Sequence, residues 1–174
     1  GDNACILDLG PLSSGTTEFF LQRGCKCHIE DLIEYLSDNG TRDNPLLALE
    51  QHLLPRPKTL KFDAVLCWDI LNFLDLDIIE HLFTLLDPHL KQGTVMHMMR
   101  YTGSSQPQQP RRFRLLDDFH YQYMVDDHYP NIQSKGHSTP TLLKRMHRFS
   151  LFNSLLKREG MDRNVIEHLF EYDS

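Results

Sequence analysis

The chain alternates short apolar runs with segments whose apolar residues recur at helical spacing. Continuous apolar runs are typical of strands buried on both faces of a sheet, and the clearest reads Phe-Asp-Ala-Val-Leu-Cys-Trp at 62–68. Such runs predict strands at 5–9, 25–29, 62–68, 94–99, 149–157 and 165–172. Apolar periodicity predicts helices at 16–23, 32–36, 44–54, 77–86 and 141–147.

The order of these elements predicts the fold class. Strands that alternate with helices over short connections form an α/β fold with a doubly wound, mostly parallel sheet. The last two strands, joined by a turn near Gly160, predict a C-terminal antiparallel hairpin at one edge of the sheet. We find no internal repeat and expect one domain over 1–174. The polar segment 102–112 predicts a mobile loop, and the segment 113–123 fits either a lid or an edge packed on the sheet.

Charge and hydropathy narrow the class of protein. The 174 residues carry a net charge of −6, with one short basic cluster of Arg111, Arg112 and Arg114, so bulk nucleic-acid binding is disfavoured. The sequence holds no apolar run long enough to cross a membrane and does not open on a signal-peptide pattern. A strand begins almost directly after Gly1, so we expect a domain truncated at its N-terminus. Cysteines in apolar runs are typical of reduced thiols, so we expect a cytoplasmic protein.

The cysteines and histidines do not predict a metal site. Cys5, Cys27 and Cys67 each lie in an apolar run, which predicts reduced, buried thiols on neighbouring central strands. Cys25 and Cys27 form a C-x-C without a second cysteine pair, and the ten histidines show no H-x-x-x-H spacing. We therefore expect no bound metal.

Three strand ends carry residues suited to a nucleoside ligand. Ligands of open parallel sheets bind beyond the carboxyl ends of the strands. The ends here are Asp8-Leu9-Gly10 with its turn through Pro11 to Gly15, then Glu30-Asp31, and then Trp68-Asp69. A glycine lets the backbone approach a ligand, and an acid after the second strand can accept hydrogen bonds from ribose hydroxyls. The alternative is that Gly10 and Gly15 only turn the chain between the strand and the helix.

Several of these residues have a second interpretation. We favour Glu30 for the ribose, because Asp31 is suited to cap the next helix. Asp69 could face a sulfonium cation or cap the helix that follows it. Arg100 and Tyr101 directly follow the strand predicted at 94–99, and they are the candidates for substrate contact.

Four segments resemble motifs of class I S-adenosylmethionine-dependent methyltransferases. Ile6-Leu7-Asp8-Leu9-Gly10 resembles their first motif, and Phe62-Asp63-Ala64-Val65-Leu66 resembles their fourth strand. Leu90-Lys91-Gln92-Gly93-Thr94 is similar to the turn before their fifth strand. The Asp-Leu-Gly-Pro start, Trp68-Asp69 and the closing segment 158–170 are similar to a bacterial branch of that family.

The resemblance implies a Rossmann-like, seven-stranded-type sheet whose last strand is inserted antiparallel. It implies S-adenosylmethionine as cofactor, with Asp8 and the turn from Gly10 to Gly15 around its methionine part. It also implies that Glu30 or Asp31 holds the ribose and that Trp68-Asp69 lines the pocket. The reaction would be an in-line transfer of the methyl group to a small-molecule or protein acceptor, with the enzyme positioning the two partners.

The chain also departs from the family pattern. Pro11 and Leu12 replace the usual glycine-rich turn, 41–61 shows no clear third strand, and no N-P-P-Y-like motif follows Trp68. We also expect the N-terminal segment that often covers the cofactor to be missing. Two functions stay open: an active methyltransferase, or a catalytically inactive methyltransferase-like binding or scaffold module. A nicotinamide-dependent oxidoreductase is disfavoured because the turn lacks the middle glycine that admits a pyrophosphate.

Overall fold

The computed structural model describes residues 3–37, 44–53, 57, 59–124, 130–156 and 160–173. Its strands are β1 (Cys5–Asp8), β2 (Lys26–Ile29), β3 (Ala64–Trp68), β4 (Val95–Tyr101), β5 (Ser105–Gln106), β6 (Arg112–Leu115), β7 (Tyr121–Met124), β8 (Ile132–Gln133), β9 (Phe149–Leu155) and β10 (Val165–Tyr172). Its α-helices are α1 (Ser14–Leu21), α2 (Leu32–Ser37), α3 (Pro45–His52), α4 (Leu76–Leu86) and α5 (Thr139–Arg145).

The main sheet has six strands in the order β2-β1-β3-β4-β10-β9. The first four of these strands are parallel to one another, whereas β10 runs antiparallel to both β4 and β9. The predicted sheet, with its last strand inserted antiparallel at the C-terminal end, is therefore confirmed. Two further pairs, β5 with β8 and β6 with β7, form small antiparallel sheets of their own.

Helices cover both faces of the sheet. On one face, which we call the α4 face, residues of α2 to α5 pack against alternate strand residues such as Leu7, Cys67 and Met98 in one buried cluster. On the other, the α1 face, Ile6, Leu66, Trp68 and Met99 form a second cluster with α1 and the β6–β7 hairpin. This division follows from the strand geometry, since successive side chains point to opposite faces.

The predicted elements agree with the structure apart from their bounds and three corrections. The described residues within 41–61 form α3 and no strand, as the sequence predicts. Cys5, Cys27 and Cys67 lie on neighbouring strands, but β2 is at the edge of the described sheet, which leaves Cys27 half-buried rather than central. The segment 113–123 belongs to the β6–β7 hairpin and packs on the α1 face. Segment 102–112 contains β5 and the buried Gln106, so it buries more than its composition suggests.

One edge of the sheet is formed by β9. Its seven residues, Phe-Ser-Leu-Phe-Asn-Ser-Leu, carry no charge, and a register irregularity interrupts its pairing with β10. Phe152 is 66% exposed on this strand. In the described part of the chain, no helix has the length and apolar character needed to cross a membrane.

Candidate ligand site at the carboxyl edge

The three predicted strand ends meet at one edge of the sheet. In the parallel register Asp8 lies opposite both Ile29 on β2 and Leu66 on β3. The turn after β1, the pair Glu30-Asp31 and the pair Trp68-Asp69 therefore follow neighbouring strands at the same end. The sequence placed these residues together correctly, and their contacts determine which of them face a cavity.

Asp8 is held by the protein itself. Its Oδ1 accepts hydrogen bonds from the backbone N–H of Gly10 at 2.9 Å and from the indole N–H of Trp68 at 2.8 Å. Burial raises the pKa of Asp8 to about 6, against the lowering effect of both hydrogen bonds. The carboxylate thus fixes the turn to the end of β3, and its Oδ1 is already engaged on two sides.

Trp68 fills the space beside Gly10. A Cβ added at Gly10 would lie 2.6 Å from the Cδ1 atom of Trp68, so the absence of a side chain there admits the indole. The indole stacks on Phe113 with ring centroids 5.0 Å apart and planes 4° apart. Trp68 adopts φ +46°, a left-handed conformation uncommon outside glycine, which the stack and the bond to Asp8 hold in place.

The β6–β7 hairpin covers the other glycine of the turn. A Cβ at Gly15 would lie 2.5 Å from the Cγ and Nε atoms of Arg114. The Thr16 hydroxyl donates to the Phe113 carbonyl at 3.1 Å and accepts from the Leu115 N–H at 3.3 Å, which fastens α1 to β6. Both glycine clearances in the turn are therefore occupied by the chain's own side chains.

The two acids after β2 have different surroundings. Glu30 is 3% exposed, and its Oε2 accepts a hydrogen bond from the Tyr35 hydroxyl at 3.0 Å. Asp31 is half-buried, and its Oδ1 accepts from the Glu34 N–H at 3.1 Å, as expected of a residue that caps α2. Asp31 also lines a cavity that Glu30 does not border.

Asp69 and Tyr101 form a buried pair on the α1 face. The Tyr101 hydroxyl donates to Asp69 Oδ2 at 2.7 Å, and the Arg111 N–H donates to the same oxygen at 3.1 Å. Burial raises the pKa of Asp69 to about 6 and raises the pKa of Tyr101 above its usual range. Asp69 makes no side-chain cap to the 3₁₀ turn Ile70–Asn72, so the capping interpretation is wrong.

Arg100 does not join this pair, because adjacent residues of β4 point to opposite faces. Its guanidinium is half-buried, and Nη1 donates to the His137 carbonyl at 3.5 Å just before α5. Burial lowers the pKa of Arg100. The two candidate substrate residues therefore lie on different sides of the sheet.

A cavity of about 350 Å³ opens at the ends of β1 and β2. Its lining residues are Pro11, Asp31, Ile33, Glu34, Gln109, Pro110 and Arg112. Of the predicted cofactor residues, Pro11 and Asp31 line this space. The other lining residues come from α2 (Ile33 and Glu34), from the segment before β6 (Gln109 and Pro110) and from the start of β6 (Arg112). The basic cluster at 111–114 was the one signal in the sequence, and it pointed to Arg112. Among the described residues, no group of three or more His, Cys, Asp and Glu side chains could hold a metal ion.

Comparisons with known proteins bear on the fold. No protein-family model matches the sequence, and no curated protein matches it. Solved structures match almost the whole chain. A methyltransferase from Clostridium acetobutylicum, described as dependent on S-adenosylmethionine, aligns with a TM-score of 0.55 at 15% identity over 98% of this chain and 85% of its own.

Two further neighbours were solved with S-adenosylhomocysteine. One is the Burkholderia thailandensis 1,6-didemethyltoxoflavin-N1-methyltransferase, with a TM-score of 0.55 at 13% identity over 99% of this chain and 72% of its own. The other is the N-methyltransferase NodS from Bradyrhizobium japonicum, with a TM-score of 0.53 at 10% identity over 100% and 80%. Likeness at this level of identity concerns architecture, and it shows that this chain has the Rossmann-like methyltransferase fold.

Proposed function

We propose that this domain is an S-adenosylmethionine-dependent methyltransferase that binds its cofactor at the carboxyl edge of the sheet. The observation that carries the proposal is the cavity of about 350 Å³ between the turn after β1 and the acid after β2. Its size falls within the range of roughly 300–1,000 Å³ typical of small-molecule sites. Its position, beyond the carboxyl ends of parallel strands, is where open α/β sheets bind ligands.

In this proposal the cavity residues divide the work of binding. Asp31 accepts hydrogen bonds from the ribose hydroxyls, and Arg112 donates to the carboxylate of the methionine part. Glu30 supports this edge through its bond to Tyr35 instead of contacting the ribose. When bound, the sulfonium supplies an activated methyl group, and the residues of this chain position the cofactor and exclude water from it.

We also propose the class of methyl acceptor, the cellular location and the branch of the family. The acceptor is a small molecule or a protein group, and the reaction takes place in the cytoplasm, in keeping with four cysteines that form no disulfide. The chain would then belong to the bacterial branch with the Asp-Leu-Gly-Pro first motif. Asp8, Gly10, Gly15 and Trp68 lie outside the lining of this cavity, and in this proposal they meet the methionine part once the turn after β1 opens.

A second candidate is a catalytically inactive binding or scaffold module. The observation that favours it is the occupied turn, since Trp68 stands over Gly10 and Arg114 over Gly15. In a site closed in this way the methionine part of a cofactor competes with the chain's own side chains. The first candidate requires Trp68 and Arg114 to give way to the methionine part while Arg112 stays at the cavity, and the second requires no such movement.

Calorimetric titration with S-adenosylhomocysteine separates the two candidates. We expect the wild-type protein to bind, and Asp31→Asn to weaken binding about tenfold through loss of a charged hydrogen-bond acceptor. Asparagine keeps the Oδ1 atom that caps α2, so the helix is preserved. Glu18→Gln on the exposed surface of α1 is the matched control.

Each result favours one function. No heat of binding at millimolar ligand would refute the methyltransferase and leave the scaffold module. Binding that Asp31→Asn does not change would keep the cofactor but move it out of this cavity. A parallel titration with NADH tests the oxidoreductase, and binding of NADH in preference to S-adenosylhomocysteine would replace the proposal.

A further inference from the structure

A buried polar network joins the ends of β3 and β4. The Asn72 side chain is its centre: Nδ2 donates to the carbonyls of Asp69 at 2.7 Å and Met99 at 2.8 Å, and Oδ1 accepts from the Tyr101 N–H at 3.0 Å. Gln106 joins the network from β5, where its Nε2 donates to the Asn72 carbonyl at 3.2 Å. The network fastens the segment after β4 to the segment after β3.

Two acceptors in this network lack a donor. Asp69 Oδ1 and Gln106 Oε1 have no hydrogen-bond partner among the described residues, and their side chains are only 1% and 2% exposed. Leaving a buried polar atom unsatisfied costs about 1–3 kcal/mol, and more for a charged group. The nearby donors, from Asn72, Tyr101 and Arg111, already bond other atoms. The network therefore lacks hydrogen-bond donors and has acceptors to spare.

We propose that Asp69 and Gln106 bind the amino group of an amine, and that the methyl acceptor of this domain belongs to that chemical class. The second clause rests on the proposed methyltransferase function, whereas the binding site does not. An ammonium group offers three donors to the two oxygens and a positive charge to the carboxylate. For methyl transfer the ammonium would first give one proton to Asp69, and the nitrogen lone pair would then form the N–C bond as the S–C bond of the sulfonium breaks. An alcohol offers one donor without charge, and a carboxylate ligand would be repelled by Asp69.

The surroundings suit an amine attached to an apolar body. Tyr101 lies beside Asp69, and the Phe73 ring meets it edge to face at 6.4 Å between centroids. The Arg111 guanidinium lies over the Tyr123 ring, at 4.3 Å from its centroid, and over the Tyr101 ring at 5.6 Å, with Asp162 at 3.7 Å. Arg111 thus gives Asp69 its backbone N–H, and its charge acts on both Asp69 and Asp162.

Access runs through the segment that covers the pair. Gln106 and the Arg111 N–H both belong to the stretch 102–112, which the β5–β8 pair and the bond from Gln106 to Asn72 hold over Asp69. In this proposal the stretch opens to admit the amine, and Gln106 meets the ligand when it closes again. The same stretch connects the amine site to the cofactor cavity, since Gln109, Pro110 and Arg112 line that cavity.

The test uses three probes with one ring: benzylamine, benzyl alcohol and benzoate. Calorimetry on the wild-type protein, with and without saturating S-adenosylhomocysteine, should show benzylamine binding at least tenfold more tightly than benzyl alcohol, and no binding of benzoate. Asp69→Asn should weaken benzylamine about ten- to a hundredfold. Gln106→Met, which keeps the side-chain length, should weaken it about threefold or more.

Matched controls and a second readout separate binding from structural damage. Asp77→Asn and Gln108→Met change exposed residues of the same types and should leave benzylamine affinity unchanged. The carboxyl ¹³C resonance of Asp69 should titrate near pH 6 in the free protein and at lower pH with benzylamine bound, because the ammonium stabilises the carboxylate. A purely structural Asp69 would keep its titration midpoint.

The outcomes distinguish this inference from the proposed function. Benzyl alcohol binding as tightly as benzylamine, or Gln106→Met matching Gln108→Met, would overturn the amine site. Loss of benzylamine binding in the presence of S-adenosylhomocysteine would assign the site to the cofactor's own amino group and overturn the assignment to the acceptor. Benzylamine binding without any binding of S-adenosylhomocysteine would keep the site and refute the methyltransferase.

Discussion

Removing the Phe113 ring should open the turn between Gly10 and Gly15. Phe113 is the residue through which the β6–β7 hairpin holds Trp68 over Gly10, with planes 4° apart at 5.0 Å. An aromatic pair of this kind contributes about 0.5–1.5 kcal/mol beyond its buried area. If ligand binding requires the stack to separate, Phe113→Ala removes that part of the cost, and affinity should rise about two- to tenfold.

The assay follows from the composition of the chain. Trp68 is the single tryptophan, so its emission reports the stack directly. Titration of S-adenosylhomocysteine into wild type and Phe113→Ala should show tighter binding by the variant, with free-state emission shifted to longer wavelength as water reaches the indole. Phe119→Ala is the matched control, because Phe119 lies at the tip of the same hairpin and is 78% exposed.

Phe113→Ala should also lower the free energy of unfolding. Truncation of a buried phenylalanine costs about 3–5 kcal/mol in a core, and less where the site can collapse. Urea unfolding therefore has to show that Phe113→Ala is folded at the titration temperature. A folded variant whose emission shifts as expected but whose affinity is unchanged or weaker would refute the competition between hairpin and ligand. In that case Phe113 would belong to the wall of the site rather than to its closure.

Three further substitutions test single contacts. Asp8 keeps a proton in the folded state between about pH 4 and 6 that the unfolded chain has lost, so its contribution to the free energy of unfolding falls as pH rises through that window. Asp8→Asn should remove about 3 kcal/mol of this pH dependence in urea unfolding, and an unchanged slope would contradict the raised pKa. Gly10→Ala places a methyl group 2.6 Å from Cδ1 of Trp68, so it should lower the melting temperature and shift the emission; unaltered emission would contradict the contact. Ser138→Ala removes the acceptor of the Thr141 N–H at the start of α5 and should cost about 1 kcal/mol in urea unfolding, where no change would argue against the cap.

Sequence patterns predicted best those elements whose residues are mostly buried in the interior. The strand predicted at 165–172 is β10 without change, and the run at 62–68 contains β3, because both consist of residues buried between helix layers. The sequence did not predict the hairpin, because β6 and β7 alternate exposed with buried or half-buried residues and carry arginines, tyrosines and a glutamine. The residues that the hairpin packs against, Trp68 and α1, lie far away in sequence, so no local sequence pattern indicates this contact.

The candidate site shows the same limit. The carboxyl-edge positions of Gly10, Glu30 and Trp68 follow from strand order, which sequence reasoning reached. Glu30 accepts a hydrogen bond from the Tyr35 hydroxyl of the following helix, and Asp31 faces the cavity instead. The spacing of the acids in the sequence does not indicate which of them faces the cavity. Gln106 was beyond prediction, because its role depends on the path of a loop that contacts Asn72.

The uncharged edge strand β9 has a consequence for the protein in concentrated solution. Unpaired sheet edges are commonly protected by charged residues, proline or a bulge. In the described sheet β9 has no strand partner on its outer side, and a single register irregularity is its only such protection beside Phe152. Solubility is then limited by edge-to-edge pairing between copies more than by net charge, since a charge of −6 repels at long range and is screened by salt. The turbidity of a concentrated solution should therefore rise with ionic strength. The substitution Phe152→Lys should keep the solution clear.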